Sequence, residues 1–287
     1  MDKLQELFQR SGLTVTAISA QMGMSRPAIS AALKGKYNGR KDMGSDIEIF
    51  LTRYVAEKGK AGQLSTTTYL TSHQKMVLAV LHYTMDDHEF SIITGPSGVG
   101  KTYVCQHFTE TQPGVRYIKM VDGMSYGDVV DEMLESFDIH MHGDVHRRFK
   151  RLLECLDENE IRMLIADEVD LFTKGSAASF LKKVSIFREI YETGIPVVMV
   201  GLPALEKKLR ESEEKYIYSR IGYFRRIKSV DAGELRDFWQ HLGGGTEPEV
   251  PDVIRQASQK AYLRTLQKVY ARSQIIGIRQ AMGLIFE

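Results

Sequence analysis

The chemically informative centre of the chain is a run of small residues ending in a lysine and a hydroxyl: Gly95, Pro96, Ser97, Gly98, Val99, Gly100, Lys101 and Thr102. It satisfies the Walker A pattern at every defined position, directly after the apolar run Phe90 to Thr94 and directly before a helical one. Glycines permit a tight loop whose backbone N–H groups surround phosphate oxygens, and the start of the next helix adds potential favourable to an anion. Lys101 is placed to reach the β- and γ-phosphates of ATP, and Thr102 to offer its hydroxyl to Mg²⁺. A chance glycine turn would not be expected to carry the strand, the loop and the Lys-Thr pair together.

A second constellation follows downstream. Met163, Leu164, Ile165 and Ala166 form an apolar run that ends in Asp167 and Glu168, the Walker B arrangement. Asp167 is the expected Mg²⁺ carboxylate. Glu168, one residue on, is expected to orient or deprotonate the water that attacks the γ-phosphate, a role that a phosphotransferase acting on a small molecule would not need. Asp170 completes an Asp-Glu-Val-Asp string and reads equally well as a helix cap or as a functional group. Cys105, on the helix after the loop, reads as a packing residue because no low-pKa environment can be argued for it.

These groups need a scaffold. Strand-like runs at Val115 to Val121, Arg162 to Ala166 and Pro196 to Val200 alternate with helical stretches, beginning with a helix over Gln74 to Thr84. That alternation predicts an α/β fold, a P-loop core with a mainly parallel sheet covered on both faces. After residue 230 the pattern is helical, with Glu234 to His241, Pro251 to Tyr270 and Ser273 to Phe286 interrupted by Gly243, Gly244 and Gly245, and we read it as a helical lid. The expected organisation is a helix-turn-helix domain at 1–60, a linker at 61–69, the core at 70–230 and the lid at 231–287.

The 287 residues suffice for such a multi-part protein, and 43% hydrophobic with 26% charged residues is an ordinary globular composition. A net charge of +1 excludes a uniformly basic protein, so contact with nucleic acid must come from local clusters. With two cysteines and no apolar run fit for a signal peptide or membrane span, the expected setting is reducing and cytoplasmic, with no membrane partner.

The N-terminal region has helix-turn-helix spacing: Ala17, Ile18 and Met22 on one helical face, a turn at Gly23 and Met24, then Ile29 and Leu33 facing inward. Ser25 is expected to cap the second helix, and Ser45 with Glu48 to box the next, whose Ile47, Leu51, Tyr54 and Val55 close the core. Arg26, Lys34, Lys36, Arg40 and Lys41 occur here without a carboxylate, which with Ser30 suits contact with double-stranded DNA. A second cluster, Arg147, Arg148, Lys150 and Arg151, reads either as a solvated helix face or as a DNA-backbone contact, with Lys182, Lys183, Arg225, Arg226 and Lys228 as possible additions. The lone Trp239 reads as packing.

The order of loop, Asp-Glu strand, further strand and helical segment resembles the AAA+ ATPases, and among them is similar to the target-DNA-binding B transposition proteins of Mu-like phages. The likeness includes the Lys36, Tyr37, Asn38, Gly39 string, the Gly95 to Thr102 loop, the basic helix before Asp167 and the Ser219, Arg220, Ile221 string. It implies that Arg220 is an arginine finger reaching a neighbouring subunit's ATP, and that Arg264, in Tyr262, Leu263, Arg264, is the sensor arginine of the lid. It further implies an ATP- and Mg²⁺-dependent oligomer or filament on DNA that stimulates a transposase in the bacterial host cytoplasm. A loader or regulatory ATPase, recognising an operator or a partner protein through its N-terminal domain, is the alternative. The chain departs from the family after Val200, where a polar sensor residue is usual and Gly201, Leu202 and Pro203 supply no side-chain donor, so hydrolysis is expected to be slow.

Overall fold

In the computed structural model the chain divides into two compact units, residues 1–68 and 69–287. The structure describes residues 69–211 and 219–286 and, in the first unit, residues 4, 5, 7, 8, 15, 18, 22, 24–35 and 43–52. Ala17, Gly23, Lys36, Tyr37, Asn38, Gly39, Arg40, Lys41, Tyr54, Val55 and nearly all of the expected linker lie outside the described residues.

In the first unit, helix α1 (Arg26–Leu33) follows Ser25, whose backbone is extended as at a helix start but whose side chain makes no capping bond. Pro27 takes over part of that role, since its fixed φ suits the first turn and its missing N–H would have no helical partner there. Leu4, Ile18, Ile29, Leu33, Ile47 and Leu51 are buried together. Ser45 is not a cap: residues 43–52 are helical, so it lies inside the helix rather than at its entry.

The second unit begins with α2 (Ser72–Asp86), whose entry is fixed by a reciprocal capping box between Thr71 and Gln74. Then come β1 (Phe90–Thr94), α3 (Lys101–Thr111), β2 (Val115–Lys119), α4 (Tyr126–Glu135), α5 (Val145–Glu158) and β3 (Met163–Asp167). A 3-10 turn (Val169–Lys174), α6 (Ala177–Glu192), β4 (Val197–Gly201), α7 (Pro203–Glu211) and β5 (Ile221–Arg226) complete the core. The five strands pair in parallel in the order β2-β3-β4-β1-β5.

β1, β3 and β4 are buried at every position, as strands covered on both faces must be. Alternate residues divide between two cores. Ile93, Ile165, Val198 and Val200 join α2, α3 and the C-terminal helices, while Ile92, Leu164, Ala166 and Met199 join α4 to α7. Among the described residues no helix is long and apolar enough to cross a membrane.

Three expectations about elements change. β5 is a strand where the sequence suggested only an arginine string and scattered cations. The C-terminal segment is α8 (Ala232–His241), α9 (Val250–Gln259), α10 (Tyr262–Ile276) and α11 (Ile278–Phe286), so the expected helix over Pro251 to Tyr270 is broken in two. The break falls at Ala261 and Tyr262, both left-handed at φ 60 and 43. The later break, at Gly277 (φ 82), interrupts the helix expected over Ser273 to Phe286. Trp239 is buried and donates its indole N–H to the Gly245 carbonyl at 3.2 Å, which ties the glycine turn to α8.

Candidate nucleotide site at the carboxyl end of the sheet

β1 is flanked by β4 and β5, and its last residue passes straight into the glycine loop. The Gly95 N–H donates to the Gly201 carbonyl at 3.2 Å, extending the β1–β4 ladder by one bond before the chain turns away. Gly98 and Gly100 have φ of 82 and 93, the left-handed region that glycine enters without steric cost. No side chain caps α3, so the amides of its first turn are open to an anion. Lys101 is buried and donates Nζ to the carbonyls of Gly95 at 2.7 Å and Pro96 at 2.9 Å, which holds the ammonium over the loop. Burial lowers its pKa below the usual lysine range, opposed by the carboxylates of Asp167 and Asp170.

Asp167 ends β3 and is almost fully buried. Its Oδ2 accepts from the Thr102 hydroxyl at 2.6 Å and from the Tyr117 hydroxyl at 2.9 Å, while Oδ1 accepts from the Glu168 N–H at 2.8 Å. Burial, then the negative charge of Asp167 and the hydrogen bond to it, push the Tyr117 phenol far up, so it stays an O–H donor. Glu168 sits in the left-handed region (φ 59, ψ 29) and its carboxylate pairs with Lys119 at 3.1 Å. Burial likewise raises the Cys105 thiol well above its ordinary value, which keeps it protonated and in a packing role.

This donor set fits a nucleoside triphosphate with magnesium. A glycine cradle faces an uncapped helix start and a lysine, and a hydroxyl lies beside a carboxylate, the hard oxygen donors that Mg²⁺ takes. From the C-terminal helices Arg264 reaches the same loop, donating from Nη1 to Ser97 Oγ at 3.1 Å. The Ala261 carbonyl lies so close over Gly98 that a side chain there would collide with it. Val99 is buried beneath the loop.

Arg220 stands apart from this cluster. It is exposed and directly precedes β5, whose Ile221 pairs with Phe90 while Arg226 pairs with Thr94. Because the strands are parallel, Arg220 lies at the opposite end of the sheet from the phosphate loop of its own chain. Five strand residues at ~3.3 Å each separate the two by roughly 16 Å, farther than one arginine side chain extends.

The basic clusters are only partly available. Arg148 pairs with Asp131 of α4, and Arg151 forms a bidentate pair with Glu158 at 2.8 and 3.0 Å and a further bond to Glu154. The sequence interval between these cations lacks acids, but the fold and the next helical turn supply them. Arg147 and Lys150 remain exposed. Lys182 and Lys183 lie over the rings of Tyr126 and Phe172, and Arg226 pairs with Glu206. In the first unit Arg26 and Lys34 are exposed and Ser30 is half-buried.

Three residues of the site escaped sequence reasoning or were left open by it. Tyr117 and Lys119 lie on β2, where nothing local marks them as partners of Asp167 and Glu168. Asp170 is buried and accepts the Leu202 N–H at 2.9 Å, a partner 32 positions away.

Comparisons with known proteins agree with this geometry. Residues 84–209 match the sequence profile described as AAA domain. No curated protein matches the sequence. Among solved structures, the chain is similar to the ORC1 protein of Aeropyrum pernix in complex with DNA, at 16% identity over 75% of this chain and 66% of that one, TM-score 0.58. It is similar to AMPPCP-bound DnaA from Aquifex aeolicus, at 14% identity over 74% of this chain and 65% of that one, TM-score 0.51. It also resembles the Aeropyrum pernix ORC2 protein in ADPNP–ADP complexes, at 15% identity over 77% and 70% of the two chains, TM-score 0.53. The aligned part spans just under two thirds of the first two proteins. The parallel sheet with the glycine loop before α3 thus has the fold of a P-loop AAA+ core, within which residues 84–209 match the AAA domain profile.

Proposed function

We propose that the protein is an ATP-hydrolysing, DNA-binding AAA+ ATPase that holds target DNA and delivers it to the transposase of a Mu-like phage or prophage. The observation that carries the ATPase part is the convergence of Lys101, Thr102, Asp167 and Glu168 at one end of the sheet. Lys101 and the loop amides hold the phosphates, and Thr102 and Asp167 hold magnesium, which when bound neutralises phosphate charge. Glu168 directs the attacking water once its carboxylate leaves Lys119. Arg264 reads the loop from the lid. Arg220 completes a neighbour's site, and assembly into an oligomer or filament follows.

Support for DNA as the partner comes from the cations of the first unit and from Arg147 and Lys150, and the transposase reading rests on the resemblance of the motif strings quoted from the sequence. Solved relatives in fold include ORC1 in complex with DNA and DnaA bound to AMPPCP and single-stranded DNA. A loader or regulatory ATPase that reads a specific operator is the second reading, favoured by the separate N-terminal unit. In either case the protein works in the cytoplasm, on DNA.

The test is binding of the full chain, with ATP and magnesium, to random-sequence duplex and to defined duplexes at several salt concentrations. Target capture predicts ATP-dependent binding with little sequence preference and a steep loss of affinity as salt rises. Strong preference for one sequence would favour the regulatory reading. No ATP-dependent binding at low salt would remove DNA as the partner.

A further inference from the structure

Apart from the influence of its charge on Lys101, Asp170 plays no part in the roles assigned so far, yet it is a buried carboxylate where two functional strand ends meet. It stands on the 3-10 turn that follows Glu168, and its Oδ1 accepts the Leu202 N–H at 2.9 Å. The residue before Leu202 makes that approach possible. A Cβ on Gly201 would stand 2.8 Å from Oδ1 and 3.1 Å from the Asp170 nitrogen, so a side chain there would displace the carboxylate from its seat against the end of β4.

The same strand end also holds the phosphate loop, because the Gly201 carbonyl accepts the Gly95 N–H at 3.2 Å. On the other side the turn closes on Glu168, whose carbonyl accepts the Leu171 N–H at 3.0 Å. A continuous path therefore runs from Gly95 through Gly201 and Leu202 to Asp170 and Glu168. Glu168 needs such support, since a left-handed backbone is strained for a residue other than glycine and persists only where its surroundings hold it. Asp170 also acts on Lys101, its charge opposing the effect of burial on the ammonium.

We propose that Asp170 is a positioning residue that keeps the water-directing Glu168 in register with the phosphate loop through the amide at the end of β4. This rests on the reading of Glu168 as the group that directs water. It also assigns a polar partner to the strand end where Gly201, Leu202 and Pro203 carry none on their own side chains. The carboxylate arrives from the neighbouring turn.

The experiment compares ATP affinity by calorimetry with turnover and single-turnover hydrolysis for Asp170→Ala, Asp170→Asn, Gly201→Ala, Glu168→Gln and the double variant Asp170→Ala/Glu168→Gln, each checked for folding by its melting curve. Asp170→Ala should lower turnover by about tenfold or more while ATP affinity stays within about threefold. Asp170→Asn keeps an oxygen acceptor and should retain most of the rate. Gly201→Ala leaves the carboxylate in the chain but pushes it off its amide, so it should reproduce the loss, and it carries the test if Asp170→Ala does not fold. In the Glu168→Gln background, Asp170→Ala should add little, because a residue acting through Glu168 has nothing further to lose. Normal turnover in Asp170→Ala or Gly201→Ala beside a crippled Glu168→Gln overturns the positioning role alone. So does the same fractional loss from Asp170→Ala in both backgrounds. Normal turnover in Glu168→Gln overturns the reading of Glu168 itself.

Discussion

Three donors converge on the Asp167 carboxylate: the hydroxyls of Thr102 and Tyr117 on one oxygen and the Glu168 amide on the other. Thr102 must offer its oxygen to magnesium, so the Tyr117 hydroxyl and the amide are what keep the carboxylate oriented. A hydrogen bond to a charged acceptor contributes about 1.5–3 kcal/mol, so Tyr117→Phe should raise the magnesium needed for nucleotide binding by about tenfold or more. Nucleotide binding without magnesium should not change. Calorimetric titration with and without the metal checks this, and an unchanged magnesium requirement would show that Tyr117 only packs. The Walker residues were legible in the sequence because their chemistry depends on near neighbours in the chain. Tyr117 and Lys119 were not, because β2 meets β3 only through the sheet register that pairs Lys119 with Asp167.

At the scale of elements, β1, β3 and β4 could be read early because they are buried on both faces, where parallel pairing demands a continuous apolar run, and β2 was read with them although it is only partly buried. β5 reads differently. Its sequence, Ile-Gly-Tyr-Phe-Arg-Arg, is half-exposed at the sheet edge, and its arginines look like surface charge until the fold pairs Arg226 with Glu206. The break between α9 and α10 was hidden for another reason. Ala261 and Tyr262 adopt left-handed backbone without the glycine or proline that usually announces it. Glu206 joins α7 to β5, accepting from Arg226 and from Arg210 at 2.9 Å while itself buried. Burial pushes its pKa up, but the two arginine hydrogen bonds outweigh that and hold it below the ordinary glutamate range. The stabilisation is therefore present above the unfolded pKa of about 4.3 and is lost as pH falls through the lower folded value. Glu206→Gln should cost about 2 kcal/mol at neutral pH, less than the ~3–5 kcal/mol of fully buried pairs because both arginines can rehydrate. The gap in unfolding free energy between the two proteins should close towards pH 3. A gap that stays constant with pH would show that the ion pair contributes nothing.

For the whole molecule, the decisive relation is between β1 and β5. Arg220 belongs at the far end of the sheet from its own Lys101, so a protein in which it serves catalysis must pair two copies. Arg220→Ala should bind ATP normally yet lose the rise of specific activity with protein concentration. Mixed with Lys101→Ala, which keeps its arginine but not its phosphate grip, it should regain part of the lost turnover. If the mixture is no more active than the sum of its parts, Arg220 has no place in a neighbour's site. If Arg220 serves a neighbour as proposed, the parallel register that separates these two residues would give the protein a sense of its own crowding. A solitary copy would then hold ATP as a loaded but silent unit, and the timer would start only when others gather beside it.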